Sequence, residues 1–369
     1  MKFPIKTKCI FFFLILSIRL FSQDKTDTFS IIKDTPRRFT LKETNPIKTI
    51  CLSFVGDLQM GGSCLPVIQS KGYDYPFDST RILISRSDLA VANLEAPFVL
   101  QGKPFNKKFT FLVHPEWAAG ALRAGFNVFT LANNHILDYG PEGLATTIQT
   151  LDSMQIKHCG AGENIDDAEK PCLVTVNNWK IAFFAFSLTY PAEFWANKNK
   201  PGTAYPHLKR IKSQIKKIRD NCDLIVVAFH WGGELWTFPK PYQIFYAHKV
   251  IDFGADIVIG HHPHVVQGME FYKDKFIAYS LGNYVFGSYS RKVSFSIILQ
   301  MRYDNRGLLY AEVIPIDVFN PRVQFCPTII RKKKRGDIIE ELNTISLKFN
   351  NNKKIIRKSG LIVHPEQEK

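Results

Sequence analysis

Residues 254–265 read Gly254-Ala-Asp-Ile-Val-Ile-Gly-His-His-Pro-His-Val265. The run Asp256-Ile-Val-Ile259 is short, apolar and β-branched, as expected of a strand buried on both faces. It breaks off in Gly260-His261-His262-Pro263-His264, so imidazoles gather where a buried strand ends. His262 and His264 are two apart, and an extended segment would turn both rings the same way. The preceding stretch, Tyr242 to Phe253, predicts a helix, which makes the whole an αβ unit.

The same pattern recurs on either side. Strands are predicted over Thr49–Val55, Asp88–Ala92, Asn127–Leu131, Asp223–Phe229 and Lys275–Ser280. They run into Gly56-Asp57, Asn93-Leu94-Glu95, Ala132-Asn133-Asn134-His135, His230-Trp231-Gly232 and Leu281-Gly282-Asn283. Further strands are expected at 172–176 and 180–186, helices at Pro141–Met154 and Leu208–Ile218, and a hairpin of 293–303 with 308–316 around Asp304-Asn305-Arg306-Gly307. The fold class is therefore α/β, and in such sheets ligands bind beyond the carboxyl ends of the strands. That edge collects Asp57, Glu95, Asn134, His135, His230, His262, His264 and Asn283.

Carboxylate, amide and imidazole without thiolate suit a divalent transition ion such as manganese, iron or zinc. Two ions ~3.5–4 Å apart would serve a phosphoryl transfer. Glu95 is then the bridge, with Asp57 and His264 on one ion and Asn134, His230 and His262 on the other; the count, one ion or two, stays open. Neutral His135 is the candidate catalytic residue, protonating a leaving oxygen or contacting a phosphate. Asn93, Glu234 and Asn283 are candidate substrate contacts. His261 points either inward or at a ligand, and Trp231 and Trp236 either pack or form an aromatic wall for a polymer.

The chain has 369 residues, 45% hydrophobic and 22% charged, which excludes wholesale disorder. Its net charge of +15 would suggest nucleic acid, but the basicity is terminal. Residues 1–22 carry four Lys/Arg and no acid, and residues 331–369 carry eleven against five Asp/Glu. No nucleic-acid partner is expected. Lys2, Lys6 and Lys8 precede an apolar run from Cys9 to Ile18, with Ser22 before Gln23, which reads as an export signal over 1–22 cleaved after Ser22. The alternative is an uncleaved anchor. Residues 23–48 read as a linker, 49–326 as the functional domain and 327–369 as a basic C-terminal extension, either packed as a helix or in contact with an anionic membrane surface. Six cysteines outside the signal show no disulfide framework, and buried thiols are expected.

Several of these segments resemble the CapA family of poly-γ-glutamate capsule synthesis proteins. They are Phe54-Val-Gly-Asp57, Ala92-Asn-Leu-Glu95-Ala-Pro97, Leu131-Ala-Asn-Asn-His-Ile-Leu-Asp-Tyr-Gly140, His230-Trp-Gly-Gly-Glu234, residues 254–265 and Tyr279-Ser-Leu-Gly-Asn283. The resemblance spans roughly residues 49–317 and implies a four-layer αββα sandwich of calcineurin-like metallophosphoesterase type. It places Asp57 at the first metal-ligand Asp, Asn134-His135 at the Asn-His motif, His230 at the isolated His, and His262 and His264 at the terminal His pair. This chain departs from wider metallophosphoesterases in carrying Asp57-Leu58-Gln59 where they have Asp-x-His, and Glu95 where they have Asp. The implied role is an exported protein that makes or processes an extracellular anionic polymer or its precursor, by phosphoester or related hydrolysis. A noncatalytic subunit, binding polymer or scaffolding a membrane-bound polymer synthase, is the other reading.

Overall fold

The computed structural model describes residues 48–366. The expected export signal, and all of the expected linker except Lys48, lie outside the described residues. The predicted apolar runs become the parallel strands of two sheets. The larger, nine-stranded sheet takes β1 (Thr49–Leu58), β2 (Leu89–Leu94), β3 (Val128–Thr130) and β4 (Lys157–Cys159) in parallel. On the other side of β1 it continues antiparallel through β14 (Phe295–Asp304), β15 (Gly307–Asp317) and β16 (Thr328–Ile329). Two further strands join it, β13 (Asn283–Val285) beside β1 and β17 (Leu361–Ile362) beside β15. The six-stranded sheet runs β11 (Met269–Tyr272), β12 (Lys275–Ala278), β10 (Ile257–His261), β9 (Leu224–His230), β7 (Trp179–Ser187), β6 (Cys172–Val176). A small ribbon pairs β5 (Ala161–Gly162) with β8 (Gly202–Thr203).

Side chains of a strand alternate between faces, and here both faces of both sheets are covered. Ile50, Leu52 and Phe54 of β1 meet Phe183 of β7, Val226 of β9 and Ile257 of β10 in the core between the sheets. The outward residues of the larger sheet, among them Ala90, Ala92 and Phe129, pack under α1 (Leu65–Lys71), α2 (Arg81–Ser85), α3 (Ala118–Arg123) and α4 (Gly140–Ser153). Those of the smaller sheet, Phe184, Val227 and Val258 among them, pack under α5 (Ile165–Ala168), α6 (Leu208–Ile218) and α7 (Pro241–Phe253). The chain thus adopts the four-layer αββα sandwich that the resemblance implies.

The segment after residue 326 is built into this unit, and the boundary expected there does not separate an appendage. Beyond α8 (Asn320–Val323), β16 and β17 both pair with β15, and α9 (Lys332–Ser346) lays Ile338, Ile339 and Leu342 on the core between the sheets. The basic start of α9 is partly neutralised by the domain, through Lys334 with Asp317 at 3.1 Å and Arg335 with Glu312 at 3.2 Å. Apolar residues at helical spacing therefore outweigh the charge run that marks this stretch in the sequence.

Parallel register carries the chemically competent strand ends to one edge. Asp57 of β1 stands level with Asn93 of β2 and Asn283 of β13, and His230 of β9 stands level with His261 of β10. The backbones crowd there. A Cβ at Gly56 would lie 1.8 Å from the carbonyl oxygen of Gly282, and one at Gly260 would lie 1.9 Å from that of Tyr279. Only glycine lets these chains pass beside the cluster.

Candidate metal centre

Asp57, at the end of β1, is fully buried, and its carboxylate is held by four partners. Its Oδ1 accepts the Asn93 amide at 2.9 Å and lies 3.3 Å from His261 Nδ1. Its Oδ2 accepts the backbone N–H of His262 at 3.2 Å and lies 3.2 Å from His264 Nδ1. Glu95, just beyond β2, is equally buried; its Oε2 takes the same Asn93 amide at 3.1 Å. Glu95 Oε1 has no hydrogen-bond partner among the described residues, lying 3.6 Å from His230 Nε2 and 4.0 Å from His264 Nε2. Two donor sets result, Asp57 with Glu95 and His264, and Glu95 with His230 and His262. Within each set the donor atoms lie within 4.8 Å of one another. Glu95 belongs to both. Asn134 reaches the second set through its Oδ1, 2.7 Å from His230 Nε2.

The charges in this dry edge are unbalanced. Burial raises the Asp57 carboxyl, yet the imidazoles of His261 and His264 close against it outweigh that and hold the group well below the usual carboxylate range. Glu95 is driven the other way, well above that range, by burial and then by the neighbouring Asp57 charge. Burial, then the charge of neighbouring histidines, pushes His230 well below its ordinary value and His262 down to about 3. His264 moves up, because contact with Asp57 and Asn283 overcomes its burial. Two carboxylates face a space lined by imidazoles, of which His230 and His262 are held neutral, and the buried Glu95 Oε1 and His262 Nδ1 find no partner among the described residues. A divalent cation answers both deficits, since such ions bind neutral imidazole and ionised carboxylate. The residues present fit the group.

Asn93 and Asn283 differ from their expected place as substrate contacts. Both are buried to within 2% of full exclusion from solvent. Asn93 spends its side chain on Asp57, Glu95, His230 and Asn133, and Asn283 Oδ1 sits 2.9 Å from His264 Nδ1. They orient donors in the way outer-shell groups of metal sites do. His262 and His264 also depart from the extended geometry expected of them. β10 stops at His261, and both residues turn into positive φ, 93° and 60°, on either side of Pro263. The turn sends one imidazole to each donor set. Trp231 packs inside, stacked on Phe229 at 4.4 Å with its Nε1 donating to Tyr279 O at 2.9 Å, whereas Trp236 stays exposed. Gln59 is buried beside Cys64, with its Nε2 unpartnered.

His135 lies in a separate cluster on the rim. Its Nδ1 is 2.8 Å from Asp138 Oδ2, and Lys107 Nζ sits 2.5 Å from Asp138 Oδ1 and 3.1 Å from the same ring nitrogen. Burial lowers the pKa of both His135 and Lys107. Asn133 Oδ1 accepts the N–H groups of His135 and Ile136 and so fixes the turn that presents the ring. Sequence reasoning missed Lys107, Asp138 and Asn133 and left His261 undecided. Asp138 and Asn133 lie inside a recognisable motif, while Lys107 stands in a stretch with no pattern to mark it. A cleft of about 640 Å³ opens beside the cluster, with Asn134 and His262 in its lining and Glu234 and Lys240 as its charged side chains.

A model of the family described as "Bacterial capsule synthesis protein PGA_cap" matches residues 51–288. The capsule biosynthesis protein CapA of Bacillus anthracis is 34% identical over 277 residues, covering 73% of this chain and 67% of that protein. The PGA biosynthesis protein CapA of Bacillus subtilis is 32% identical over 310 residues, covering 81% and 80%. A probable polyglutamine synthesis accessory protein of Mycobacterium tuberculosis is 27% identical, covering 64% and 68%. Among solved structures, the NAD nucleotidase of Haemophilus influenzae aligns with a TM-score of 0.44 at 13% identity, covering 74% of this chain and 56% of that one.

Proposed function

Because this chain belongs to the bacterial capsule synthesis protein family PGA_cap, we propose that it is an exported protein acting on an extracellular anionic polymer of poly-γ-glutamate type, or its precursor, through a metal-dependent hydrolytic site. The observation that carries the reading is the pair of buried donor sets sharing Glu95. Asp57, Glu95, Asn134, His230, His262 and His264 would hold one or two divalent ions of manganese, iron or zinc type. When bound, such an ion supplies Lewis-acid polarisation of the reacting oxygens. Asn93 aims both carboxylates, and Asn283 and Asp57 set the ring of His264. Asp138 accepts from His135 Nδ1, the shorter of that atom's two contacts, so neutral His135 presents an unprotonated Nε2 that takes a proton from the attacking water and then passes it to a leaving oxygen. The bond broken is a phosphoester of the precursor or a γ-glutamyl amide of the polymer itself; water adds its hydroxyl to the phosphorus or the carbonyl carbon, and the departing oxygen or nitrogen takes the proton.

Export rests on the Lys-rich start, the short apolar run and Ser22. A mature N-terminus at or near Gln23 in an exported fraction is the expected result, read by mass spectrometry. An intact Met1 on a cytoplasmic product would exclude it, and an intact Met1 in membranes would favour the anchor. Among the described residues no helix is long and apolar enough to cross a membrane.

A second reading is a noncatalytic polymer-binding or scaffold subunit of a synthase or export complex. It is favoured by Gln59, which stands where wider metallophosphoesterases have an imidazole, and by the accessory role in the name of the mycobacterial relative. Turnover of bis(4-nitrophenyl) phosphate with added manganese separates the two. The hydrolytic reading expects metal-dependent release of nitrophenol, and a well-folded, metal-loaded protein with no turnover of this or a γ-glutamyl substrate would overturn it.

A further inference from the structure

The cleft beside the metal centre has two unlike walls. On one, Tyr190 and Tyr205 line the cleft, each tilted against the ring of Trp195 behind them, with centres 5.7 Å and 4.4 Å away. On the other stands Lys240, which caps the start of α7 and takes no ion pair among the described residues. Its ammonium lies 4.9 Å from the ring of exposed Trp236. This placement is built in. The backbone N–H of Lys240 donates to Gln243 Oε1 at 2.8 Å, Gln243 Nε2 donates to Gln267 Oε1 at 3.0 Å, and Gln267 Nε2 donates to the carbonyl of Trp236 at 2.7 Å. Gln243 and Gln267 are both fully buried, so one chain of amide hydrogen bonds ties together the backbones from which Lys240 and Trp236 project.

A half-buried ammonium with no carboxylate partner loses hydration without recovering it, and an arriving anion restores the balance. Among the described residues, Lys240 is the only lysine or arginine in the lining of the cleft, and the exposed Glu234 is the only acid there. An anionic group entering the cleft is therefore drawn to Lys240 and kept off Glu234.

From this arrangement we infer that Lys240 is a specificity-determining residue, which receives a carboxylate of the polymer next to the reacting bond while the aromatic wall carries the intervening chain. The inference rests on the polymer reading above and adds to it the residue that distinguishes an anionic chain from a neutral one of the same length.

The test compares binding of a synthetic γ-linked glutamate oligomer with that of its counterpart whose free α-carboxylates are amidated, followed by calorimetry on the full exported chain loaded with manganese. The wild-type protein should favour the anionic oligomer. Lys240→Gln should weaken that oligomer by about tenfold or more, as expected for loss of a charged hydrogen bond, while the amidated one is little changed. Lys240→Arg should restore the preference. Metal content and melting temperature measured on each variant exclude misfolding as the cause. If Lys240→Gln keeps the wild-type preference, or if the wild type binds both oligomers equally, the assignment is overturned and polymer binding stands. If neither oligomer binds the wild type, both the assignment and the polymer reading fall.

Discussion

His135→Ala is expected to leave the metal content of the protein unchanged and to lower metal-dependent turnover by ~10²–10⁴-fold, the usual range for removing a positioned proton donor. His135 belongs to neither donor set; its ring is held by Asp138 through Nδ1 and packed on Phe111 at 4.5 Å. Losing it deprives the leaving oxygen of its proton without removing an ion ligand. Asp138→Asn should act in the same direction and less strongly, since it releases the orientation of the ring but keeps the ring. Metal analysis paired with initial rates on the phosphodiester checks the prediction. Loss of metal from His135→Ala would show that this residue is a ligand and that its assigned role is wrong.

His264→Ala should behave differently in kind. His264 lies between Asp57 and Glu95, and its removal takes a nitrogen from the first donor set and leaves the Asp57 carboxylate short of a partner. Metal content and turnover should therefore fall together. Asn283→Ala, which only frees the orientation of His264, should weaken metal binding by about 10–100-fold, the usual cost of losing an outer-shell partner. A titration of manganese into each variant, followed by calorimetry, orders the three proteins. An Asn283→Ala variant as severe as His264→Ala, at equal stability, would mean that Asn283 itself ligates.

What the sequence made legible follows from where its signals are local. A buried parallel strand announces itself by an apolar run, and the residue that ends it falls at the ligand edge of the sheet. Asp57, Glu95, His230, His262 and His264 are visible for that reason. Distinguishing a ligand from the amide that orients it depends on distances across strands. Asn93 lies near the end of β2 and Asn283 opens β13 just past an apolar run, and only the register beside Asp57 shows that they face inward. Lys107 reaches Asp138 across 31 positions of chain, from a stretch with neither periodicity nor a strand end. The turn at His262–His264 was hidden because alternation holds only while the backbone stays extended, and β10 ends one residue earlier. At the C-terminus, charge was the louder signal, yet Ile338 and Leu342 are what bind α9 to the core.

The central claim is that the edge built around Glu95 is a divalent-metal site, and its most direct test is the metal content of the full chain. Protein purified without chelator and equilibrated with manganese or zinc should carry one or two ions per chain by elemental analysis. A ligand at a hundred times its dissociation constant stabilises a fold by about 2.7 kcal/mol, so the melting temperature should rise with added metal. Glu95→Gln, which removes the shared charge from both donor sets, should abolish both effects. A wild-type protein that retains no ion and whose melting temperature does not respond to either metal would contradict the account.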